Sequence, residues 1–378
     1  MSQTALYGKR DNSLDRVAGL FILYVIFGHM NNWTVGSWAP ERMFLEKLMP
    51  YFMPWFYFKS GMFFKSGLET REVARKGWKT LVVPFLVFGG LGIVLQAVKW
   101  HVFGDMTLEG AWNFQIRRIF LMGSFEGSNP LWFLLSLFFV KVIFNYLRNK
   151  NIPIGVILGA CVTFVMANWL MKVELGPKSP AMAVLEYPRY LYNVPCGMIF
   201  YCCGILLKEK QYDWKFWIPA LLVFVAVSFF RKNGARVSFM HNVPSSNCDY
   251  LMFLAASVGM CISYNVLFKY ITKLCDKVTS FSPLAYLGRN SIAVYALHWP
   301  IMMIVWMIIC GTGLMPDSSV PEVKALVRTD PELRAVLWKE TAIYAAVCLP
   351  LIPVLNELIL HSRLSWILGK KRVEKQQR

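Results

Sequence analysis

The chain has 378 residues, of which 56% are hydrophobic and only 16% are charged, and its mean hydropathy is +0.44. This composition excludes an ordinary soluble domain and indicates an integral membrane protein. The net charge of +18 does not indicate a nucleic-acid partner, because the basic residues lie at helix ends and in loops, where membrane proteins concentrate them.

Apolar runs long enough to cross a bilayer recur along the whole chain. A transmembrane helix needs about 20 mostly apolar residues, because the hydrocarbon core is about 30 Å thick and each residue rises about 1.5 Å. We therefore predict an all-α polytopic membrane protein, a single domain over residues 1–378 with about ten transmembrane helices surrounded by membrane lipids. The predicted spans lie near residues 14–35, 43–67, 80–100, 130–147, 152–171, 188–207, 214–230, 249–268, 289–311 and 339–361.

The first apolar run is expected to remain as a helix rather than to be cleaved as a signal peptide. Lys9 and Arg10 precede it, but it has no small-residue cleavage site and it continues into polar residues. An even number of spans puts both termini on one side, and the distribution of basic residues favours the cytoplasm for that side. We therefore expect a multi-pass protein of the plasma membrane, which is the inner membrane in a bacterium, with both termini cytoplasmic.

The nine cysteines lie mostly inside the predicted helices and show no metal-ligand spacing. Adjacent Cys202 and Cys203 point to different helix faces, which favours packing over chemistry. The sequence therefore predicts neither a disulfide framework nor a metal site.

The first predicted helix, which ends in LYVIFGHMNNW, carries ionisable side chains. Such groups are costly within a bilayer and need a partner, a water-filled cavity or a function. At about 100° per residue, Asp15 and His29 share one face and lie about 21 Å apart, and we expect this face to point into the protein. On the helix alone, a hydrogen bond to a neighbouring helix explains His29 as well as catalysis does.

The stretch YFMPWFYFKSGMFFKSG, residues 51–67, places Lys59 too deep to reach water easily. Pro54 and Gly61 are typical of a kink or a break around a cavity. We expect the Lys59 ammonium to meet an anion, a carboxylate such as that of Asp15, or carbonyl groups released by the kink. A structural ion pair explains Lys59 at least as well as direct catalysis does.

The stretch YLGRNSIAVYALHWP, residues 286–300, contains another intramembrane histidine, His298. Asn290 and Ser291 are typical of a helix start. Helix rise places His298 within about one turn of the depth of His29, so the two imidazoles are expected to face one cavity. A neutral imidazole in a partly desolvated interior suits the removal of a proton from a hydroxyl, although a proton-coupled transporter would carry similar residues.

Five blocks of sequence follow one another between residues 11 and 302. They are DNSLDRVAGLFILYVIFGHM, PYFMPWFYFKSGMFF, RKGWKTLVVPFLVF, PLWFLLSLFFVKVIF and SPLAYLGRNSIAVYALHWPI. Together they resemble the acyltransferase 3 family of integral-membrane enzymes, and the second block is similar to that of fucose-acetylase-like members. The resemblance implies acetyl-CoA or another acyl-CoA as donor, a cell-surface glycan or lipid-linked sugar as acceptor, and no bound cofactor.

The resemblance also implies roles for the intramembrane histidines. His29 matches the essential histidine of the family's first helix and is expected to be the base that takes a proton from the acceptor hydroxyl. His298 matches a second recurring histidine, with Asn290, Ser291 and Tyr295 as its supports. We place Asp15 and Lys59 at the same site, Asp15 with the catalytic histidines and Lys59 as a support.

A basic cytoplasmic segment after the second helix is associated with the acyl-CoA donor in this family. Arg75, Lys76 and Lys79 match it approximately. A basic patch has the right sign for the phosphates of a cytosolic donor. Anchoring of the helix at the cytoplasmic boundary explains each of these residues equally well.

One position departs from the family pattern. Eleven residues before His29 the family has arginine or lysine, whereas this chain has Ala18. Arg16 is close in sequence but lies about 140° from the His29 face on a straight helix. Either the helix start bends, or Lys59 supplies the positive charge.

Two further residues complete the candidate site. Ser60 is the nearest candidate nucleophile, and Trp132 could either stack on a sugar ring or belong to an interfacial aromatic belt. The expected reaction is the base-assisted attack of a sugar hydroxyl on a thioester carbonyl, either directly or through an acyl-enzyme. The alternative from another functional class is a proton-coupled transporter or glycan exporter that uses His29, Lys59 and His298 as a relay.

Overall fold

The computed structural model describes residues 12–33, 47–103, 119, 121, 123–125, 129–175, 190–230, 247–276, 282–311 and 330–372. Within these residues no β-strand is present, and twelve α-helices account for most of the chain. They are α1 (Ser13–Trp33), α2 (Phe52–Met62), α3 (Thr70–Gly77), α4 (Val83–Phe103), α5 (Trp132–Asn149), α6 (Ile154–Leu175), α7 (Tyr190–Leu207), α8 (Trp214–Val225), α9 (Asn247–Cys275), α10 (Pro283–Arg289), α11 (Ser291–Gly311) and α12 (Pro331–His361).

Six helical stretches of the described chain are long and apolar enough to cross a bilayer. They are Ser13–Met30, Thr70–Val102, Ile154–Met171, Tyr250–Cys275, Ser291–Ile309 and Pro331–His361. Two shorter apolar helices, Tyr192–Leu207 and Trp214–Phe229, accompany them. The chain is therefore a polytopic all-α membrane protein, and the count of about ten spans stays a prediction.

Large apolar side chains on the outer helices are exposed. Examples are Phe164 on α6, Leu222 on α8 and Leu358 on α12. The exposed fractions of Leu222 and Leu358 are 63% and 62%. Exposed apolar side chains of this size are typical of surfaces that face lipid. These three helices therefore form part of the lipid-facing surface.

α1 lies at the centre of the helix bundle. It packs most extensively against α10, and it also contacts α9, α11 and α12. Val17, Ala18 and Phe21 on α1 are fully buried. The close approach to α10 depends on Gly288, because a Cβ atom there would lie 1.7 Å from the Asp15 carbonyl oxygen.

The second predicted span, 43–67, is helical over a shorter range than expected. α2 begins at Phe52 after a turn, so Pro54 falls in its first turn, where proline is tolerated, rather than at a kink. With 11 residues, α2 is about 16 Å long and does not cross a bilayer by itself. Residues 43–46 lie outside the described chain.

The helix predicted over residues 80–100 begins ten residues earlier. α3 continues without a break through a π-helical segment, Trp78–Val82, into α4. Hydropathy missed α3 because its exposed face is charged, with Arg71 and Arg75. π-Helical turns occur frequently at functional sites.

Candidate active site

α1 and α11 bring two histidines into contact. His29 Nδ1 lies 2.9 Å from His298 Nε2, and the two rings are nearly parallel, with centroids 5.2 Å apart and planes inclined by 13°. His298 is fully buried. Their sequence depths predicted that the imidazoles face one cavity, and the structure brings them within hydrogen-bond distance.

The second hydrogen bond of His298 assigns the protons in this pair. His298 Nδ1 lies 2.6 Å from the backbone carbonyl oxygen of Tyr295, which can only accept, so Nδ1 carries the proton and donates. The lone pair of neutral His298 is then on Nε2, where it accepts a hydrogen bond from His29 Nδ1. The lone pair of neutral His29 consequently lies on Nε2, which is the atom that can take a proton from a substrate.

Aromatic side chains hold the two imidazoles in place. The Tyr295 ring stacks beside His298 at 5.6 Å, and its hydroxyl donates a hydrogen bond to the Pro130 carbonyl before α5. On the other side, the Trp299 ring meets the His29 ring edge-on at 5.2 Å. These contacts restrict rotation of both imidazoles.

Lys59 pairs with a carboxylate near the start of α1. Its Nζ lies 3.4 Å from Asp15 Oδ1 and 3.2 Å from the Leu14 carbonyl oxygen, so the anion expected for Lys59 is Asp15. Asp15 is about 21 Å from His29 by helix rise. The described contacts therefore place Asp15 beside Lys59 rather than beside either histidine.

Arg16 points away from this ion pair. Its Nη2 lies 2.6 Å from Asp276 Oδ1, just after α9, and its Nε donates to Ser282 Oγ, which also caps α10. The start of α1 thus does not bend to bring Arg16 onto the His29 face. Of the two possibilities raised by Ala18, the described contacts favour Lys59 as the positive charge on this face.

A cavity of about 450 Å³ extends from the α3–α5 contact to the region below the histidine pair. Its polar lining includes four lysines, Lys59, Lys65, Lys76 and Lys141. Its opposite end is formed by apolar and aromatic side chains, including Val25, Phe133 and Tyr295.

The cavity ends close to the histidines. Val25 precedes His29 by one turn on α1, and Tyr295 precedes His298 by almost one turn on α11. Both residues line the cavity, so it reaches within about 6 Å of the histidine pair by helix rise. A ligand in the cavity could therefore present a reactive group to His29.

A family model described as an acyltransferase domain matches residues 11–352. The chain belongs to the acyltransferase 3 family. The matched residues include both histidines, the Asp15 and Lys59 pair and the whole lining of the cavity. No curated protein and no solved structure matches the chain. The protein is therefore a membrane acyltransferase.

The acyltransferase brings only one of the three expected donor-binding residues to the cavity. Lys76 lines it, whereas Arg75 lines a separate surface groove beside Trp78. Lys79 lies exposed in the π-helical segment and is not part of the cavity lining. Lys76 lines the cavity because it lies on the side of α3 that faces α5, whereas Arg75 does not.

Some of the predicted supporting residues line the cavity and others do not. Ser60, Ser291 and Tyr295 line the cavity of the acyltransferase. Asn290 lies between α10 and α11, where it donates to the Tyr286 carbonyl and accepts a hydrogen bond from a lysine near the end of the described chain. Trp132 is buried against Phe133 with its ring edge-on at 6.2 Å, and not at the surface, where an aromatic belt would place it.

The sequence analysis missed Lys141. This lysine interrupts the apolar run of α5 and lines the cavity. The high cost of an ionisable group within a membrane helix, which singled out His29, Lys59 and His298, applies to Lys141 as well. That rule, applied to every predicted span, would have found it.

Proposed function

We propose that this acyltransferase transfers an acetyl or other acyl group from acyl-CoA to a hydroxyl of a cell-surface glycan or of its lipid-linked precursor. The observation that carries the proposal is the hydrogen-bonded pair of His29 and His298 at the end of a lysine-lined cavity. Family membership favours this transfer chemistry over proton-coupled transport as the role of the same residues.

The proposed reaction uses His29 as a general base. His29 Nε2 removes the proton of the acceptor hydroxyl as its oxygen attacks the thioester carbonyl. The positive charge that forms on His29 is stabilised because its Nδ1–H continues to donate to His298 Nε2. When the tetrahedral intermediate collapses, the carbon–sulfur bond breaks and the leaving thiolate takes the proton from His29 Nε2, which yields the ester, free CoA and neutral His29.

The two substrates are proposed to approach from opposite sides of the membrane. The lysine-lined end of the cavity lies near the start of α1 and the end of α5, the end that we assign to the cytoplasm together with both termini. This orientation suits a cytosolic, phosphorylated donor. The acceptor would reach His29 from the other side or laterally from the lipid, in the plasma membrane or the bacterial inner membrane.

The proposal is tested by acyl transfer in vesicles that contain the purified protein. Acetyl-CoA with a labelled acetyl group is supplied together with the glycan and lipid-linked sugar fraction of membranes that lack the protein. We expect label in the glycan fraction with the wild type, no label with His29→Ala, and normal labelling with His101→Ala, because His101 is exposed at the end of α4.

Unchanged labelling with a well-folded His29→Ala variant would contradict the assignment of His29 as the base. Movement of unmodified sugar across the vesicle membrane without any acyl transfer would instead favour the transporter. Comparison of the surface glycans of cells with and without the protein would identify the acceptor, since a single O-acyl group should disappear.

A further inference from the structure

Two lysines occupy the same level of the cavity on facing helices. α3 and α5 touch where Gly77 lies against the Phe138 ring, so closely that a Cβ atom at Gly77 would lie 2.8 Å from Phe138 Cδ2. Lys76 immediately precedes Gly77, and Lys141 follows Phe138 by three residues, almost one helical turn. Both lysines line the cavity, and their positive charges repel each other.

Neither lysine has an acidic partner among the residues that the structure describes. Glu72 lies one turn before Lys76 and also lines the cavity, but it forms an ion pair with neither lysine. Lys76 is exposed and Lys141 is half-buried, so the repulsion between them is least screened at Lys141, and an anion beside the pair offsets it. An anionic group of a ligand bound beside Lys76 and Lys141 would supply that charge.

The distance from this lysine pair to the histidines matches one part of the proposed donor. Lys141 lies eight residues, or about 12 Å, from Phe133 along α5. The Phe133 ring is 6.1 Å from the Tyr295 ring, and His298 lies three residues, or about 4.5 Å, beyond Tyr295 on α11. The two rises along the helices together are therefore about 16 Å, and the step between the rings crosses from α5 to α11.

The pantetheine arm of CoA has thirteen covalent bonds between the phosphorus of its 4′-phosphate and the thioester sulfur. An extended polypeptide advances about 3.5 Å per three bonds, and at the same advance the pantetheine arm spans about 15 Å. A phosphate held at Lys76 and Lys141 would thus bring the thioester to about the level of the histidine pair along the helices.

We propose that Lys141, together with Lys76, binds the phosphate at the 4′ end of the donor's pantetheine arm within the helix bundle, and that Lys141 thereby selects phosphorylated thioester donors. This inference rests on the proposed function, because it assumes acyl-CoA as the donor. It assigns Lys141 a role in donor specificity and thioester positioning, and none in proton transfer.

The experiment measures equilibrium binding of three unacylated probes to the purified full-length protein in lipid nanodiscs. The probes are CoA, 4′-phosphopantetheine and pantetheine, which lacks the phosphate. Lys141→Met is expected to weaken binding of CoA and 4′-phosphopantetheine by about ten- to a hundredfold, the range for loss of a hydrogen bond to a charged group, and to leave pantetheine binding unchanged. Lys141→Arg is expected to retain most of the affinity, since it keeps the charge.

Lys150→Met is the matched control, because Lys150 is an exposed lysine just after the last residue of α5. It should bind all three probes as the wild type does. Lys141→Gln provides a second neutral variant if Lys141→Met does not remain monodisperse, and it should show the same selective loss.

Equal binding of 4′-phosphopantetheine by the wild type and both neutral variants would overturn the role of Lys141 while leaving the proposed function intact, provided that the wild type binds CoA. No binding of CoA by the wild type would instead count against the proposed function. A polyprenyl phosphate serves as the remaining probe. If Lys141→Met weakened its binding but not that of 4′-phosphopantetheine, the lysine pair would belong to a lipid-linked acceptor, and the inference would be wrong.

Discussion

His29 Nδ1 donates a hydrogen bond to His298 Nε2 across 2.9 Å, and this contact joins residues that are 269 positions apart in the chain. The direction of the bond follows from the Tyr295 carbonyl, which accepts from the other nitrogen of His298. The two imidazoles are therefore not equivalent: His29 has its lone pair at Nε2, and His298 positions it.

Replacement of His298 tests this asymmetry. His298→Ala removes the acceptor that assigns the His29 tautomer, so we expect kcat for acyl transfer to fall by on the order of a hundredfold, with little change in KM for acyl-CoA. His298→Gln should recover part of the loss, because its side-chain oxygen can accept from His29 Nδ1. Steady-state kinetics of both variants test whether His298 acts through this hydrogen bond. An equal loss of kcat in His298→Gln and His298→Ala would show that His298 does more than position His29.

The sequence predicts a membrane span well where a single uninterrupted helix covers the whole apolar stretch. The start of α1 and the first turn of α6 agree with the predicted spans to within two residues. The span 43–67 was not predicted well, because hydropathy does not register the turn before α2. Nor does it show that Gly61 lets α2 approach α7 closely, a contact between distant parts of the chain.

The candidate site residues also divide into those that a local pattern predicts and those that depend on contacts between distant helices. Asp15 could be predicted as the partner of Lys59 because it lies on the inward face of a helix whose periodicity is readable from the sequence. The choice of Lys76 over Arg75 depends on which face of α3 meets α5, and the amphipathic pattern of α3 does not identify the helix that covers its apolar face. Local periodicity therefore predicted the Asp15 partner, whereas packing between distant helices decided between Lys76 and Arg75.

The pair of Asp15 and Lys59 is expected to stabilise the fold through charge balance. Their side chains are only 4% and 17% exposed, so removal of one partner leaves a poorly solvated charge. Lys59→Met should destabilise the protein by about 3–5 kcal/mol, whereas Lys59→Met combined with Asp15→Leu should recover most of that loss. Thermal unfolding in detergent measures this, with acyl transfer assayed in parallel.

Recovery of stability without recovery of acyl transfer in the double variant would assign the Asp15 and Lys59 pair a direct role in the reaction. Recovery of both would show that the ion pair is structural. A double variant as unstable as Lys59→Met would contradict the charge-balance explanation itself.

Arg16 is expected to matter for stability and not for donor binding. Its ion pair with Asp276 and its bond to Ser282 tie α1 to the end of α9 and the start of α10. Because the Asp276 side chain is 37% exposed, water can solvate it after the loss of Arg16, so Arg16→Met should cost only about 1–2 kcal/mol. CoA affinity in nanodiscs should match the wild type, and a large loss of affinity in a stable Arg16→Met protein would place Arg16 in the donor site.

The contact between α2 and α7 predicts an effect of a single methyl group. A Cβ atom at Gly61 would lie 2.0 Å from the Tyr201 carbonyl oxygen, a backbone atom that cannot move without shifting α7. Gly61→Ala should therefore destabilise the protein by about 1–3 kcal/mol, as overpacking does in other cores, and it should lower activity because Lys59 and Ser60 lie on the displaced helix.

Gly159→Ala on α6 is the matched control, since no atom lies within 4 Å of a Cβ atom there. The control should be neutral or slightly more stable, because alanine has the higher helix propensity. If both variants unfolded at the wild-type temperature, the tight packing of α2 on α7 would not exist in the protein.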